Sequence, residues 1–407
     1  MKNLKNSFLL LLLSLAVWAC QPASRLANNN LAASFETPAF GMIHGMEVYA
    51  SGPDSVDVFI LADIDRIPVK TQADGVEYRT MDLNFMIFPS YAPNERVTDS
   101  STITIGPYSR YQTGKVVITH TLRAPQGKAY SLAWKLSGRF VRDWAVMHFS
   151  REYPQDEAHF LVTDSDTLIR FRPFTAGSDS MRIMAAYPDE RDSIFISLAE
   201  LHRPFPFPPF EENTEPLLSV KKSVVNKVRM RKGISDLFVL EKPGIYFIQL
   251  NTMQPGAMAL HVTEPKWKGL ARTEALRYIT TPGEWQGIQN EVLSPWDFWE
   301  SLAGSTQRAL RMAQIFHDRV DAALLRLGET VPGHMTERGM IFIVYGAPDA
   351  IYANDITETW VCSAQRTEAL RCDFRRMQDF PAGYRYELVR SKTYRKSWME
   401  AVEKCRR

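Results

Sequence analysis

Four arrangements of serine, lysine, histidine, tryptophan and carboxylate residues carry the chemistry this chain could perform. Ser219-Val220-Lys221-Lys222 spells Ser-x-x-Lys, the spacing with which a lysine amine activates a serine nucleophile for acyl transfer. The Ser-Asp-Asn and Lys-Thr-Gly partners of that chemistry are missing, and the stretch reads as strand rather than helix start, so chance accounts for it. His44 with Glu47, and His317 with Asp318 and Asp321, set imidazoles beside carboxylates, but neither spacing matches a metal cage. The tryptophans and carboxylates between Trp285 and Glu300 could line a sugar groove, as in a carbohydrate-acting or hydrolytic envelope enzyme; packing around a helix start is the simpler account. No His-Glu-x-x-His helix, Cys-x-x-Cys pair, phosphate loop or Gly-x-Ser-x-Gly elbow occurs. No catalytic residue, metal ligand, cofactor or small-molecule substrate is therefore assigned.

The frame around these residues is that of an exported protein. Met1 to Ala19 has Lys2 and Lys5, then an apolar stretch from Phe8 to Val17, then small Ala19 before Cys20. The apolar stretch, about 15 Å as helix, is too short for a bilayer core of roughly 30 Å. Val17-Trp18-Ala19-Cys20 resembles the lipobox of bacterial lipoproteins, although Trp18 stands where that pattern prefers a smaller residue. The resemblance implies cleavage before Cys20 and acylation of its sulfur, hence a membrane anchor. Residues 20–34 read as a polar tether with no acidic run, which favours the periplasmic face of the outer membrane over the cell surface. In such an oxidising compartment Cys362 and Cys372, flanking nine residues of an apparent hairpin, are expected to form a disulfide worth roughly 2–3 kcal/mol; two buried thiols are the alternative. Cys405 has no obvious mate.

The chain has 407 residues, 45% apolar and 23% charged, with a net charge of +2. That is globular composition for two to four domains, without the positive excess of a nucleic-acid binder. From about Phe35 the pattern is period-two strands with Gly or Pro turns, such as Ser55 to Leu61 and Thr80 to Phe88. These predict a mainly β fold: two tandem antiparallel, Ig-like sandwiches at 35–150 and 151–264. A domain of helices plus sheet follows at 265–407. There Ser294-Pro295 starts a helix that Gly304 ends; Ala313, Phe316, Val320, Leu324 and Leu327 stripe a longer one before Gly328. Met340 to Tyr345 reads as a strand, and a last helix carries Trp398, Val402 and Cys405 on one face.

Two segments offer themselves to partners. Val228-Arg229-Met230-Arg231, with Lys227 before it, alternates charge with apolar residues, so Lys227, Arg229 and Arg231 form one basic strand face. A solvated face is the plainer reading; lipid phosphates or an acidic protein are the alternatives. Pro204-Phe205-Pro206-Phe207-Pro208-Pro209-Phe210 is held extended by its prolines, and Phe205, Phe207 and Phe210 must cover the chain's own seam or dock into another protein.

The last 140 or so residues resemble the GWxTD domain family of lipoproteins. Leu276-Arg277-Tyr278-Ile279, Phe298-Trp299, Gly333-His334-Met335-Thr336-Glu337-Arg338-Gly339, Gly346-x-Pro348-Asp349, Glu358-Thr359-Trp360 and Tyr394 with Trp398 carry the likeness in order. His334 replaces the family tryptophan and Glu337 the aspartate. The resemblance implies a non-catalytic lipoprotein of the cell envelope, acting as a binding or scaffold component for a protein partner it does not name. Read physically, Gly333 and Gly339 bracket a turn that needs backbone angles open to glycine, while Thr336 and Glu337 bond nearby amides and lead into a strand.

Overall fold

The computed structural model describes residues 30–32, 42–89, 97–137, 145–165, 168–171, 174–177, 179–186, 192–201, 205–212, 220–263, 266–362, 370–378 and 383–407. The leader, Cys20, most of the tether, Pro204 and Ser219 lie outside these residues. No described helix is long and apolar enough to cross a membrane.

The first eight strands are β1 (Ile43–Gly52), β2 (Ser55–Asp63), β3 (Val69–Thr71), β4 (Glu77–Phe88), β5 (Asp99–Ser109), β6 (Lys115–Arg123), β7 (Ala129–Leu136) and β8 (Ala145–Ser150). They form one sheet of order β1-β2-β6 and another of order β3-β4-β7-β8, with β5 also on β4. Alternation does the sorting. Val56, Val58 and Ile60 of β2 turn inward, as do Leu83, Phe85 and Ile87 of β4, and all six share one apolar cluster between the sheets. The far side of the second sheet is also covered: Phe88 and Ala133 belong to the core of the C-terminal region.

Strands β9 (Phe160–Thr163), β10 (Phe174–Ala176), β11 (Arg182–Ala185), β12 (Ser193–Leu201), β13 (Val220–Arg231), β14 (Ile234–Ser235), β15 (Gly244–Gln249) and β16 (Met258–Thr263) follow. They make one path, β10-β16-β15-β12-β13-β14-β11-β9. The pairing is antiparallel except between β10 and β16, which run parallel, a departure from the wholly antiparallel expectation. Phe160 near one end of the path shares a cluster with Ile248 and Leu260 near the other, so the sheet curls around its own core.

A joint of buried polar groups links these regions. Arg151, 1% exposed, donates to the carbonyls of Gly52 at 2.8 Å and Ser55 at 3.1 Å, and also to that of Ala124. The Gln155 amide spans to the β15–β16 turn, donating to Asn251 O at 2.7 Å and Gln254 O at 2.8 Å while accepting from Leu250 N at 2.8 Å. Burial, reinforced by the Glu157 charge, pushes the Glu47 carboxyl of β1 up to about 8. Burial and then the Asp156 charge lift Glu157 to about 7.

Beyond residue 265 the period is helical. Helices α1 (Trp267–Ala275), α2 (Pro282–Gln289), α3 (Pro295–Ala303) and α4 (Thr306–Arg326) precede α5 (Glu337–Tyr345); then come β17 (Ala350–Ala353), β18 (Thr357–Cys362), β19 (Leu370–Gln378), β20 (Tyr384–Leu388) and α6 (Tyr394–Cys405). Ser294 caps α3 by accepting from Asp297 N, and Gly304 ends it at φ 68°, as the sequence indicated. Ala313, Phe316, Val320, Leu324 and Leu327 are buried along α4 and beyond its end.

Three expectations give way here. Met340 to Tyr345 is the body of a helix, not a strand: Thr336 caps α5, and residues 337–344 are all buried, so no polar face marks the helical period. Cys362 and Cys372 are thiols rather than a disulfide. The β18–β19 register sets Cys362 opposite Leu370 and Cys372 opposite Trp360. Diagonal neighbours of that kind stand about 7–8 Å apart, beyond the reach of an unstrained bridge. Lastly, residues 30–32 are no free tether. Leu31 N donates to Ile351 O at 2.9 Å, the Asn30 side chain accepts from Ile351 N at 2.9 Å, and Leu31 and Ala32 are each 4% exposed against the C-terminal core.

Candidate functional site

The residues from Gly333 to Asp349 form a 3-10 turn, a short helix and a tight exit. Gly333 and Gly339 are required by close approach rather than by backbone angle. A Cβ on Gly333 would lie 1.9 Å from Ala323 O, and one on Gly339 would lie 1.7 Å from Gly333 O. Only Gly346, at φ 88°, fits the conformational argument. Thr336 joins the two halves: its hydroxyl donates to Gly333 O at 2.9 Å and accepts from Gly339 N at 2.9 Å, so the lead-in is to a helix. Pro348 is buried, and Asp349 closes the exit by donating from N to Val361 O at 2.8 Å.

Each ionisable group of the turn is spoken for. His334, 4% exposed, pairs through Nε2 with Glu274 Oε2 at 2.8 Å, and its carbonyl accepts from the Tyr278 hydroxyl at 2.7 Å. Glu337 accepts from Arg390 Nη2 at 2.6 Å and from Leu388 N. Arg338 lies between two buried carboxylates, with Nε 3.5 Å from Glu329 and Nη1 3.4 Å from Glu358, and stacks 3.6 Å over the Tyr386 ring. Burial, with the Glu358 charge next, pushes the Tyr386 hydroxyl up to about 12. Glu358 is also fixed by Trp360 Nε1 at 2.7 Å.

The Pro-Phe segment is the lid of this arrangement. Phe205 meets the His334 ring edge-on at 5.6 Å and the Tyr278 ring at 6.2 Å. Arg390, already holding Glu337, donates through Nη1 to the carbonyls of Phe207 at 2.9 Å, Pro208 at 2.8 Å and Glu211 at 3.1 Å. Ser391 N donates to Pro209 O at 3.2 Å, and Arg395 stacks 5.7 Å over Phe210. Phe205 and Phe210 are thus spent on the chain's own seam, and Phe207 is half-buried. Residues 244–407 match the family model of the GWxTD domain. This chain carries a GWxTD domain. Comparison with curated proteins finds no match. The matched span starts at Gly244 and so overlaps β15 and β16, strands of the middle sheet, before it covers the helices and the last sheet.

The other marked residues lie apart from the turn. Lys227, Arg229 and Arg231 are exposed on β13 while Val228 and Met230 are buried, the alternation read from the sequence. The Ser193 hydroxyl first, then Lys227 and Arg229, hold the neighbouring Asp192 carboxyl below its ordinary value. His44 pairs with Asp63 at 3.0 Å and Asp321 with Arg272 at 2.7 Å, so neither imagined metal pair closes on itself. Among the described residues no three potential metal ligands are grouped. Trp299 is 1% exposed and packs on Phe298 and Phe316, which makes it core rather than groove. Glu284 is drawn down to about 2, chiefly by its hydrogen bonds from Arg406. It also completes a capping box with Thr281 at the start of α2; the Thr-x-x-Glu spacing was the available signal for that helix.

Proposed function

We propose that this protein is a non-catalytic, lipid-anchored component of an outer-membrane envelope assembly, in which the GWxTD domain serves as a rigid binding platform. One observation carries the reading. His334, Glu337 and Arg338, the ionisable residues of the family turn, are all bonded to groups of the same chain, so the turn locks a fold rather than presenting acids or bases to a substrate. Acylation at Cys20, a periplasm-facing anchor and an unnamed protein partner belong to this proposal, supported by the leader and by the lipobox-like residues before Cys20. So do two β-sandwich domains at 35–150 and 151–264, supported for the first by the core shared between its two sheets and for the second by the separate apolar cluster that its curled sheet encloses.

Crosslinking in intact cells, followed by mass spectrometry of the adducts, is the test. Reproducible adducts to envelope proteins are expected; recovery of this protein alone, or turnover of any compound by purified material, would sink the reading. Labelled palmitate should enter the wild type and not Cys20→Ala.

A further inference from the structure

The stretch Leu276-Arg277-Tyr278-Ile279 lies between α1 and α2, beneath the Pro-Phe lid. Three of its residues have visible structural duties. Leu276 and Ile279 are each 1% exposed, and the Tyr278 hydroxyl holds the His334 carbonyl. Arg277 is different. It is half-buried, with its guanidinium 4.2 Å from the Phe205 ring centre and 5.2 Å from that of Trp285. The nearby acids on the same elements are occupied: Glu274 by His334 at 2.8 Å, Glu284 by both outer nitrogens of Arg406 at 2.8 Å. Among the described residues no carboxylate or carbonyl accepts a hydrogen bond from Arg277. What remains is a planar fork of N–H donors, oriented by two aromatic rings and, among the described residues, without a paired carboxylate.

We propose that Arg277 is a docking point for a carboxylate carried by an acidic segment of a partner protein. Charge complementarity is the argument. The fork matches a carboxylate with two parallel hydrogen bonds, and a guanidinium already stacked on rings loses little freedom on binding. The inference rests on the domain's being a binding platform and adds the chemistry of what it binds.

The test uses full-length protein in a neutral detergent and two fluorescent peptides, hexaglutamate and hexaglutamine, followed by anisotropy. Hexaglutamate should bind saturably and hexaglutamine should not. Arg277→Ala should weaken hexaglutamate by about tenfold or more, the size expected for losing charge-assisted hydrogen bonds. Arg277→Lys, which keeps the charge and loses the fork, should not restore it, although its thermal midpoint should match the wild type. Arg229→Ala with Arg231→Ala should bind as the wild type does. Equal binding by Arg277→Ala, loss confined to the β13 variant, or no binding by the wild type would each overturn the proposal. Crosslinking in cells does not depend on Arg277, so adducts obtained despite a failed titration would leave the platform reading standing.

Discussion

Replacing Arg338 by methionine removes one charge and strands two. The guanidinium stands 3.5 Å from Glu329 and 3.4 Å from Glu358, whose side chains are 1% and 9% exposed. At an effective dielectric of about 20, each contact is worth roughly 5 kcal/mol of attraction, most of it offset by the desolvation of all three groups. Methionine keeps the apolar stem over Tyr386 and deletes the compensation, so the loss should be about 3–5 kcal/mol. Urea unfolding of the full chain, followed through the fluorescence of buried Trp299 and Trp360, reads this directly. Adding Glu329→Gln and Glu358→Gln should recover more than half of the loss, because neutral amides need no counter-charge. A single variant within about 1 kcal/mol of the wild type, or a triple variant no more stable than the single, refutes the reasoning.

Thr336→Ala should cost about 1–2 kcal/mol in the same assay, by removing the cap of α5 and leaving Gly333 O without its hydroxyl, while Thr336→Ser should restore most of it. Because Glu47 and Glu157 hold protons more tightly folded than unfolded, stability should be greatest below about pH 4.5 as far as these groups are concerned. It should fall as the pH rises through about 7 and then 8, and Glu47→Gln with Glu157→Gln should flatten that slope. Phe205→Ala should loosen the lid, giving faster proteolysis within residues 205–212 at a cost of about 1.5–3 kcal/mol, and unchanged cleavage would count against the lid.

What could be read in the sequence follows from how local its cause is. Ser294, Pro295 and Gly304 act within their own turn, and the α4 stripe reports a helix with one wet side; both were legible. Helix α5 was not, because it is buried all round and a helix without a polar face has no period to show. Its cap was nonetheless written in Thr336 and Glu337, an acceptor and an acid at a helix start. The partners of Arg338 lie 9 and 20 residues away at Glu329 and Glu358, and Phe205 finds His334 across more than a hundred residues; only the folded chain brings these together. The glycine pattern was visible and its reason was not, since backbone passing within contact distance leaves no trace in composition.

The Asn30 clip ties a residue near the front of the chain to Ile351, 321 positions later. That contact must wait until nearly the whole polypeptide has been delivered and the last sheet has closed, so it finishes folding rather than guiding it. On the proposed acylation of Cys20, ten steps of chain would separate clip and lipid, a leash of about 33–36 Å at full stretch. The GWxTD domain would then ride close to the bilayer, and a partner meeting its lid would do so within a few nanometres of the membrane surface.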